Sequence, residues 1–257
     1  MIFENCQLTV EAGPGDVMRR ATHLRHKVFV EELKYEPASS AATMERTSDD
    51  SHSLHFIFTD LTAPPHQKDI GCVRLILPGS QPDYRFPCQR AYNSIVQMGP
   101  ALRHGLVSQP HKAGETSRLT IDPHYRQQAG MRHLAVFNAL VLSSMYVGSA
   151  IGLEGGFILA EPRMATHLQK HMGICVEGIA PPIEHHGVRA AYWVPASPSC
   201  HRLTRQAQAI FKWTANQLHG VVPKLRRAPI VRRLEMIPVF HAQKLHSANT
   251  ALVPRWA

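Results

Sequence analysis

Glu115-Thr-Ser-Arg-Leu-Thr-Ile-Asp-Pro-His-Tyr-Arg-Gln-Gln-Ala-Gly-Met131 holds a strand, a stop and a helix start in seventeen residues. Leu119 and Ile121 belong to a strand begun at Glu115. Asp122-Pro123 ends it, because proline has no N–H to give to a ladder. Arg126 to Gly130 reads as a short polar turn, and an apolar helical run begins at Met131. A helix start presents unpaired N–H groups and a positive dipole, which suit a phosphate. The carboxylate of Glu115, on the strand just before, is placed to accept a proton.

The segments around this stretch alternate between strand and helix. Residues 6–11 alternate weakly as a first strand. After Gly13-Pro14-Gly15, Asp16 reads as the N-cap of a helix to about Leu33, with Val17, Ala21, Leu24 and Val28 at helical spacing. Arg25 and Phe29 fall on a neighbouring face, where an arginine is ordinarily solvated. Residues 34–53 read as a loop ending in Glu45, Asp49 and Asp50. Leu54–Asp60 and Ile70–Leu77 are strands rich in β-formers. Arg74 lies inside the second, so its charge must reach a partner or an open cleft. A proline-rich connection, Pro78 to Pro110, leads back to Glu115.

Downstream, residues 131–150 form a helix. Leu134 to Leu153 is uncharged over a length that spans a bilayer, yet Asn138, Ser143, Ser144, Gly148, Ser149 and Gly152 make it a buried core helix. Residues 155–161 form a short strand. Pro162 opens a helix to His171 with Gly173 as its C-cap. Residues 174–179 and 190–194 read as closing strands, joined through His185-His186-Gly187. Leu203 to Leu218 is helical, and Pro223, Pro229 and Pro238 break the tail.

The 257 residues suffice for one large domain. Five scattered cysteines without a C-x-x-C argue against a disulfide framework or a cysteine zinc site and favour a reducing cytoplasm. His167 and His171 are four apart on a helix, but no third ligand accompanies them, so no metal site is expected. The net charge of +9 is concentrated in residues 200–257, which hold ten lysines and arginines against one acid, Glu235. The chain divides accordingly into a domain over 1–199 and a basic, partly helical extension over 200–257. Such an extension suits an acidic protein or an anionic membrane face.

The order strand, helix, antiparallel strands, strand–turn–helix, strand–helix–strand resembles the GNAT acyltransferase fold. It is an α+β plan in which a mixed, mostly antiparallel sheet is flanked by helices. Arg126-Gln127-Gln128-Ala129-Gly130-Met131 resembles that superfamily's Q/R-x-x-G-x-G/A loop, with Met131 where a small residue is usual. Arg25-x-x-x-Phe29-x-x-Glu32, Gly71-Cys-Val-Arg74-Leu75 and Glu115-x-Ser117-Arg118 resemble acyl-homoserine-lactone (autoinducer) synthases and the related long-chain N-acyl amino acid synthases. Glu45-x-x-x-x-Asp50-x-x-Ser53-x-His55 and the late His185-His186-Gly187-Val-Arg189 are similar to the PEP-CTERM/exosortase-associated acyltransferases. The resemblance covers about residues 5–215. Leu33 and Tyr35 stand where autoinducer synthases carry a Trp, and Thr47 where the acidic cluster has a further Asp. Both departures weaken the case for S-adenosylmethionine as acceptor.

The resemblance implies transfer of a long-chain acyl group from acyl carrier protein, or acyl-CoA, to the amine of an amino acid or related small amine. No cofactor is tightly bound, because the acyl-phosphopantetheine is itself the donor substrate. Glu115 is the expected base, and backbone N–H groups near a strand bulge would hold the oxyanion. The Arg126–Gly130 turn, with Met131, would hold the arm's phosphate. Arg74, Arg118 and Arg25 are candidates for an acceptor carboxylate, with Phe29, Asp50 and Ser117 lining the acceptor side. Arg25, Asp50 and Arg118 serve equally well as a supporting ion-pair network. In a regular strand Glu115 and Arg118 face opposite ways, so they share a site only if the strand bulges between them. Two other readings remain open: an autoinducer synthase using S-adenosylmethionine, and a non-catalytic GNAT-like module that recruits carrier protein or membrane. No nucleic-acid partner is expected, and the compartment is the cytoplasm, with the basic tail suited to the inner membrane surface.

Overall fold

Ser53–Asp60 (β2) and Asp69–Ile76 (β3) are buried along almost their whole length, as apolar strands covered on both faces must be. They pair antiparallel at the centre of a mixed sheet in the computed structural model, which describes residues 3–37, 43–79, 84–92 and 110–236. Cys6–Ala12 (β1) adds antiparallel to β2, and Ala113–Ile121 (β4) adds antiparallel to β3. Gly155–Ala160 (β5) then pairs parallel with the first residues of β4 only. Val188–Pro195 (β8) adds antiparallel to β5, and carries the short strands Glu177–Gly178 (β6) and Ile183–Glu184 (β7). The expected α+β layering is present, with helices on both faces of the sheet.

One face is covered by Asp16–Arg25 (α1), whose Val17, Ala21 and Leu24 pack on Ile57 and Cys72. The chain continues from α1 as a π-helix over His26–Glu32. The opposite face carries Arg132–Ala150 (α4) and Arg205–Leu218 (α6), packed on Phe56, Phe58, Val73 and Leu75. α4 is long and apolar enough to cross a membrane, and most of its length lies buried in the fold, as its polar residues implied. Short helices complete the set: Pro87–Ala91 (α2), Pro123–Gln128 (α3), Pro162–Lys170 (α5), Val222–Arg227 (α7) and Pro229–Met236 (α8).

Local differences from the sequence reading have identifiable causes. Gly15, not Asp16, is the N-cap of α1, and the freed Val17 N–H donates to Glu11 on β1 at 2.9 Å. The Arg126–Gly130 turn is shorter than expected. Asp122 accepts a hydrogen bond from Tyr125 N–H at 3.1 Å and Pro123 occupies the first helical position, so α3 runs through Gln128. Residues 174–176 form no strand, because the Ile174 N–H donates to Leu168 O at 2.9 Å and closes α5 instead. Gly173 makes that closure with φ of +73°, and a Cβ there would lie 1.9 Å from Arg202 O. Most of the connection between β3 and β4, and the tail with Pro238, lie outside the described residues.

The helices after residue 204 share the core of the sheet. Ile210 and Leu218 are buried, and Trp213 packs against Phe3 and Phe58 with ring centroids 4.5 and 5.3 Å away. Leu225, Val231 and Leu234 extend the same apolar cluster. Burial of this kind makes α6 a structural layer. Ile210→Ala is therefore expected to cost about 2–5 kcal/mol of unfolding free energy. A urea titration checks it, and a change of only a few tenths of a kcal/mol would show that α6 is a passenger.

Candidate active site

Backbone pairing between β4 and β5 runs from Ala113↔Gly155 to Glu115↔Phe157 and goes no further. Beyond Glu115, β4 stays with β3, while β5 stays with β8. The two parallel strands diverge and leave a cleft between them. Just past the divergence β4 bulges. Arg74 faces Ser117 while Cys72 faces Thr120, so β4 spends one residue more than β3 across this step, and Arg118 there has φ of +54°. The bulge resolves the parity conflict. Glu115, Ser117 and Thr120 lie on the α1 side with Arg74 and Cys72, and Arg118 reaches carboxylates on the same side.

Arg25 is buried with 1% of its surface exposed, not solvated as its helix face alone would suggest, and it joins the ion-pair network that was another of its expected roles. It sits where α1 passes into the π-helix, so its side chain is directed at the acidic loop. It grips Asp50 with two bonds, of 2.7 and 3.0 Å, and also bonds the Glu45 carboxylate and Glu45 O. Arg74 donates to Asp50 at 2.8 Å, to Thr47 Oγ1 at 2.6 Å and to Ser117 Oγ at 3.2 Å. Arg118 bonds Glu45 at 3.1 Å and Glu36 at 2.7 Å, and lies over the Phe29 ring at 5.2 Å. Buried His55 is bonded through Nε2 to Asp50 O at 2.9 Å, and burial lowers its pKa to about 4, so it is neutral. Burial alone would raise the Asp50 carboxyl, but the hydrogen bonds and charges of Arg25 and Arg74 prevail and hold it well below the usual carboxylate range.

Glu115 has a different environment. Its carboxylate accepts the Cys88 N–H from α2 at 3.0 Å and is 1% exposed. Burial pushes it up to about 7, against the opposing pull of the Cys88 hydrogen bonds and the Arg74 charge. A carboxyl poised there exchanges a proton near neutrality.

Glu115 lines a cavity of about 560 Å³ that passes through the cleft. On its solvent side lie Tyr35, Glu36, Arg118, His185, His186 and Arg189, together with Phe29 and Ser117. Tyr35 stacks on His186 at 4.6 Å, and Arg189 lies over Tyr35 at 5.9 Å. The other end is apolar and buried, lined by Leu75, Val141, Met145, Leu153, Ile158 and Val194. Arg25, Asp50 and Arg74 stand behind this wall rather than in it. Arg126 reaches the cavity edge, with its guanidinium bonded to Ile121 O at 3.1 Å and paired with Glu32. Gln127, Gln128 and Gly130 are exposed, Ala129 is half-buried, and Met131 is 75% exposed, so this corner opens to solvent. His167 is bonded to Asn138 at 3.0 Å, and no cluster of metal-ligating side chains occurs among the described residues. Sequence reasoning missed the Cys88 contact, which joins positions 27 apart. It also gave no role to Glu36, or to Arg189 beyond its place in a resembling motif.

Residues 24–136 match a family model described as an acetyltransferase (GNAT) domain, from the end of α1 to the first turn of α4. Over this stretch, a little under half of its length, the chain is similar to GNAT acetyltransferases. The same fold occurs in BjaI, a CoA-dependent acyl-homoserine lactone synthase solved with SAM and isopentyl-CoA, at 18% identity over 90% of this chain and 100% of that one (TM-score 0.56). TofI, solved with an inhibitor and MTA, matches at 18% identity over 80% and 96% (TM-score 0.52). MesI, a CoA-dependent acyl-homoserine lactone synthase, matches at 17% over 76% and 88% (TM-score 0.52). No curated protein matches the sequence. At these identities the likeness is one of fold, and the GNAT architecture expected from the sequence is the one observed.

The ion network gives a stability prediction. Asp50→Asn leaves Arg25 and Arg74 buried without their shared anion, which is expected to cost about 3–5 kcal/mol at neutral pH. The wild-type carboxylate has a depressed pKa, so its contribution is complete above the unfolded value of about 3.9 and fades as pH falls below that. Denaturant titrations of both proteins from pH 7 down to acid should therefore converge. A gap that stays constant would show that Asp50 is not the charged partner.

Proposed function

We propose that this enzyme is an N-acyltransferase that moves a long-chain fatty acyl group from acyl carrier protein, or acyl-CoA, to the amine of an amino acid or a related small amine. The observation that carries the reading is one arrangement: a carboxyl titrating at about 7, at the point where β4 and β5 part, beside a buried apolar cavity.

Beyond Glu115 the facing edges of β4 and β5 no longer bond each other. A phosphopantetheine arm carries amides that add to such an edge as a strand would. The acyl chain then continues into the apolar end among Leu75, Val141, Met145 and Ile158. The arm's phosphate emerges toward Arg126 and the exposed Gln127–Met131 corner. The acceptor enters from the polar side. Arg189 lines that side and is occupied by backbone carbonyls of His185 and His186, with Glu161 3.9 Å away. It is the arginine best placed to receive an acceptor carboxylate, ahead of Arg74, which is committed to Asp50.

In the reaction, the amine nitrogen attacks the thioester carbonyl, and a C–N bond forms as the C–S bond breaks. Glu115, directly or through a water, takes the proton that the amine loses, and the departing pantetheine sulfur recovers a proton to leave as the thiol. Backbone N–H groups at the bulge stabilise the oxyanion between these steps. The five free cysteines suit a reducing compartment, so the reading is of a cytoplasmic enzyme. The exposed Lys224, Arg227, Arg232 and Arg233 on α7 and α8 suit docking of an acidic carrier protein or contact with an anionic membrane.

The decisive experiment incubates the protein with acyl carrier protein charged with several chain lengths and with pooled amino acids, and reads products by mass. N-acyl amino acids are expected. Acyl-homoserine lactone formed only with S-adenosylmethionine would replace the acceptor half of the reading, and no acyl transfer to any amine would remove it. Turnover is expected to rise with pH through about 7 as Glu115 loses its proton. Glu115→Gln should flatten that limb and lower kcat by about 10²-fold or more. Reversing Arg227, Arg232 and Arg233 to Glu should raise KM for carrier-bound donor, most at low salt, and leave KM for an acyl-pantetheine unchanged.

A further inference from the structure

Two glycines beside the cavity have no explanation in backbone or packing. Gly148 lies inside α4, where glycine is disfavoured, and its φ is not positive. A Cβ on it would meet nothing closer than Leu75 and Leu153, both at 3.7 Å, an ordinary contact. Gly156 in β5 is similar, with Gly114 O the nearest atom at 3.5 Å. At two other glycines of the sheet the space is closed. A Cβ at Gly71 would press Ile121 and Leu140 at 3.0 Å, and one at Gly155 would collide with Trp193 at 2.2 Å.

What Gly148 and Gly156 share is the cavity. Both line it, and so do Leu75 and Leu153, the side chains nearest to Gly148. Gly148 approaches from the helix layer and Gly156 from the sheet, so the void is bounded on two sides by positions without side chains. Filling such a void would ordinarily add dispersion contacts and helix propensity. Leaving it open makes sense where something else occupies it.

We infer that Gly148 sets the length of acyl chain this enzyme accepts, by keeping the buried end of the cavity open to a long, unbranched chain. This rests on the fatty-acyl reading of the site. A side chain at 148 would take the space of the distal methylenes, while the thioester end, at Glu115 and the bulge, would be untouched.

The test uses the full chain and the donor portion common to carrier protein and CoA. S-acetyl-, S-octanoyl- and S-palmitoyl-pantetheine are titrated calorimetrically into wild type, Gly148→Ala and Gly148→Leu. Wild type should bind the palmitoyl compound at least about tenfold tighter than the acetyl one. Gly148→Leu should lose about tenfold or more for palmitoyl and nothing for acetyl, and Gly148→Ala about fourfold for palmitoyl. Gly148→Ala adds one carbon at ordinary contact distance and a better helix former, so it keeps the test valid if the leucine variant does not fold. Unchanged palmitoyl binding in the folded variants, or an equal loss for all three compounds, would overturn the inference while leaving the fatty-acyl reading in place. A wild type indifferent to chain length would remove both.

Discussion

Parallel strands stay together only while their hydrogen bonds stay in step, and here β4 and β5 lose step after Glu115 and Phe157. Every feature of the site follows from that divergence. It opens a passage through a sheet whose two faces are otherwise sealed by α1 and by α4 with α6. It leaves main-chain groups facing the gap, which buried backbone tolerates only with water or a ligand as partner. It also puts Glu115 at the apex, buried enough for its carboxyl to be pushed up to about 7 yet facing the cavity.

A strand that leaves its neighbour must be held in its new path. Arg118 takes a left-handed conformation that costs a non-glycine residue about 1–3 kcal/mol. Its guanidinium is fixed from three directions, by Glu45, Glu36 and the Phe29 ring. Glu45 is in turn bound by Arg25, and Arg25 by Asp50, which also takes Arg74. The chain of contacts balances three guanidinium groups with three carboxylates, so it carries no net charge into the interior. Desolvation offsets most of the Coulomb gain in such a network. Its consequence is geometric: it ties the loop before β2, the end of α1 and the bulge of β4 into one arrangement. Thr47, which stands where an acidic residue was expected, joins by accepting from Arg74 and offering its N–H to Asp50.

The parts of this structure legible in the sequence are those written in local pattern. β2 and β3 are dense in β-formers, and α4 is an apolar run punctuated by serines, asparagine and glycine, so both were readable at nearly their true limits. The pattern failed where a long-range partner decides the conformation. Arg25 falls off the apolar stripe of α1, and only the acidic loop twenty or more residues later makes its burial tolerable. The bulge has no glycine to announce it, since Arg118 is held at positive φ by carboxylates distant in sequence. Asp122-Pro123 was read as a strand stop when it is equally an N-cap and a first helical residue, a signal that was present and unused. The apolar cavity is the least legible of all, because it is made of what Gly148 and Gly156 lack.

Two of the buried carboxylates on the α1 side of the sheet, Asp50 and Glu115, show how one neighbourhood supports opposite chemistries. Asp50 and Glu115 are both nearly inaccessible, so desolvation raises the pKa of each. What separates them is the number and charge of their partners. Asp50 receives both oxygens' worth of Arg25, a bond from Arg74 and the Thr47 N–H, and is fixed as an anion. Glu115 receives the neutral Cys88 N–H and thiol, and feels Arg74 only as a field already largely neutralised by Asp50. Arg74 therefore links the pair: the more completely Asp50 claims it, the less it stabilises the Glu115 carboxylate, and the closer Glu115 stays to neutrality. The fixed anion keeps the network in register and, by holding Arg74, leaves its neighbour free to exchange a proton.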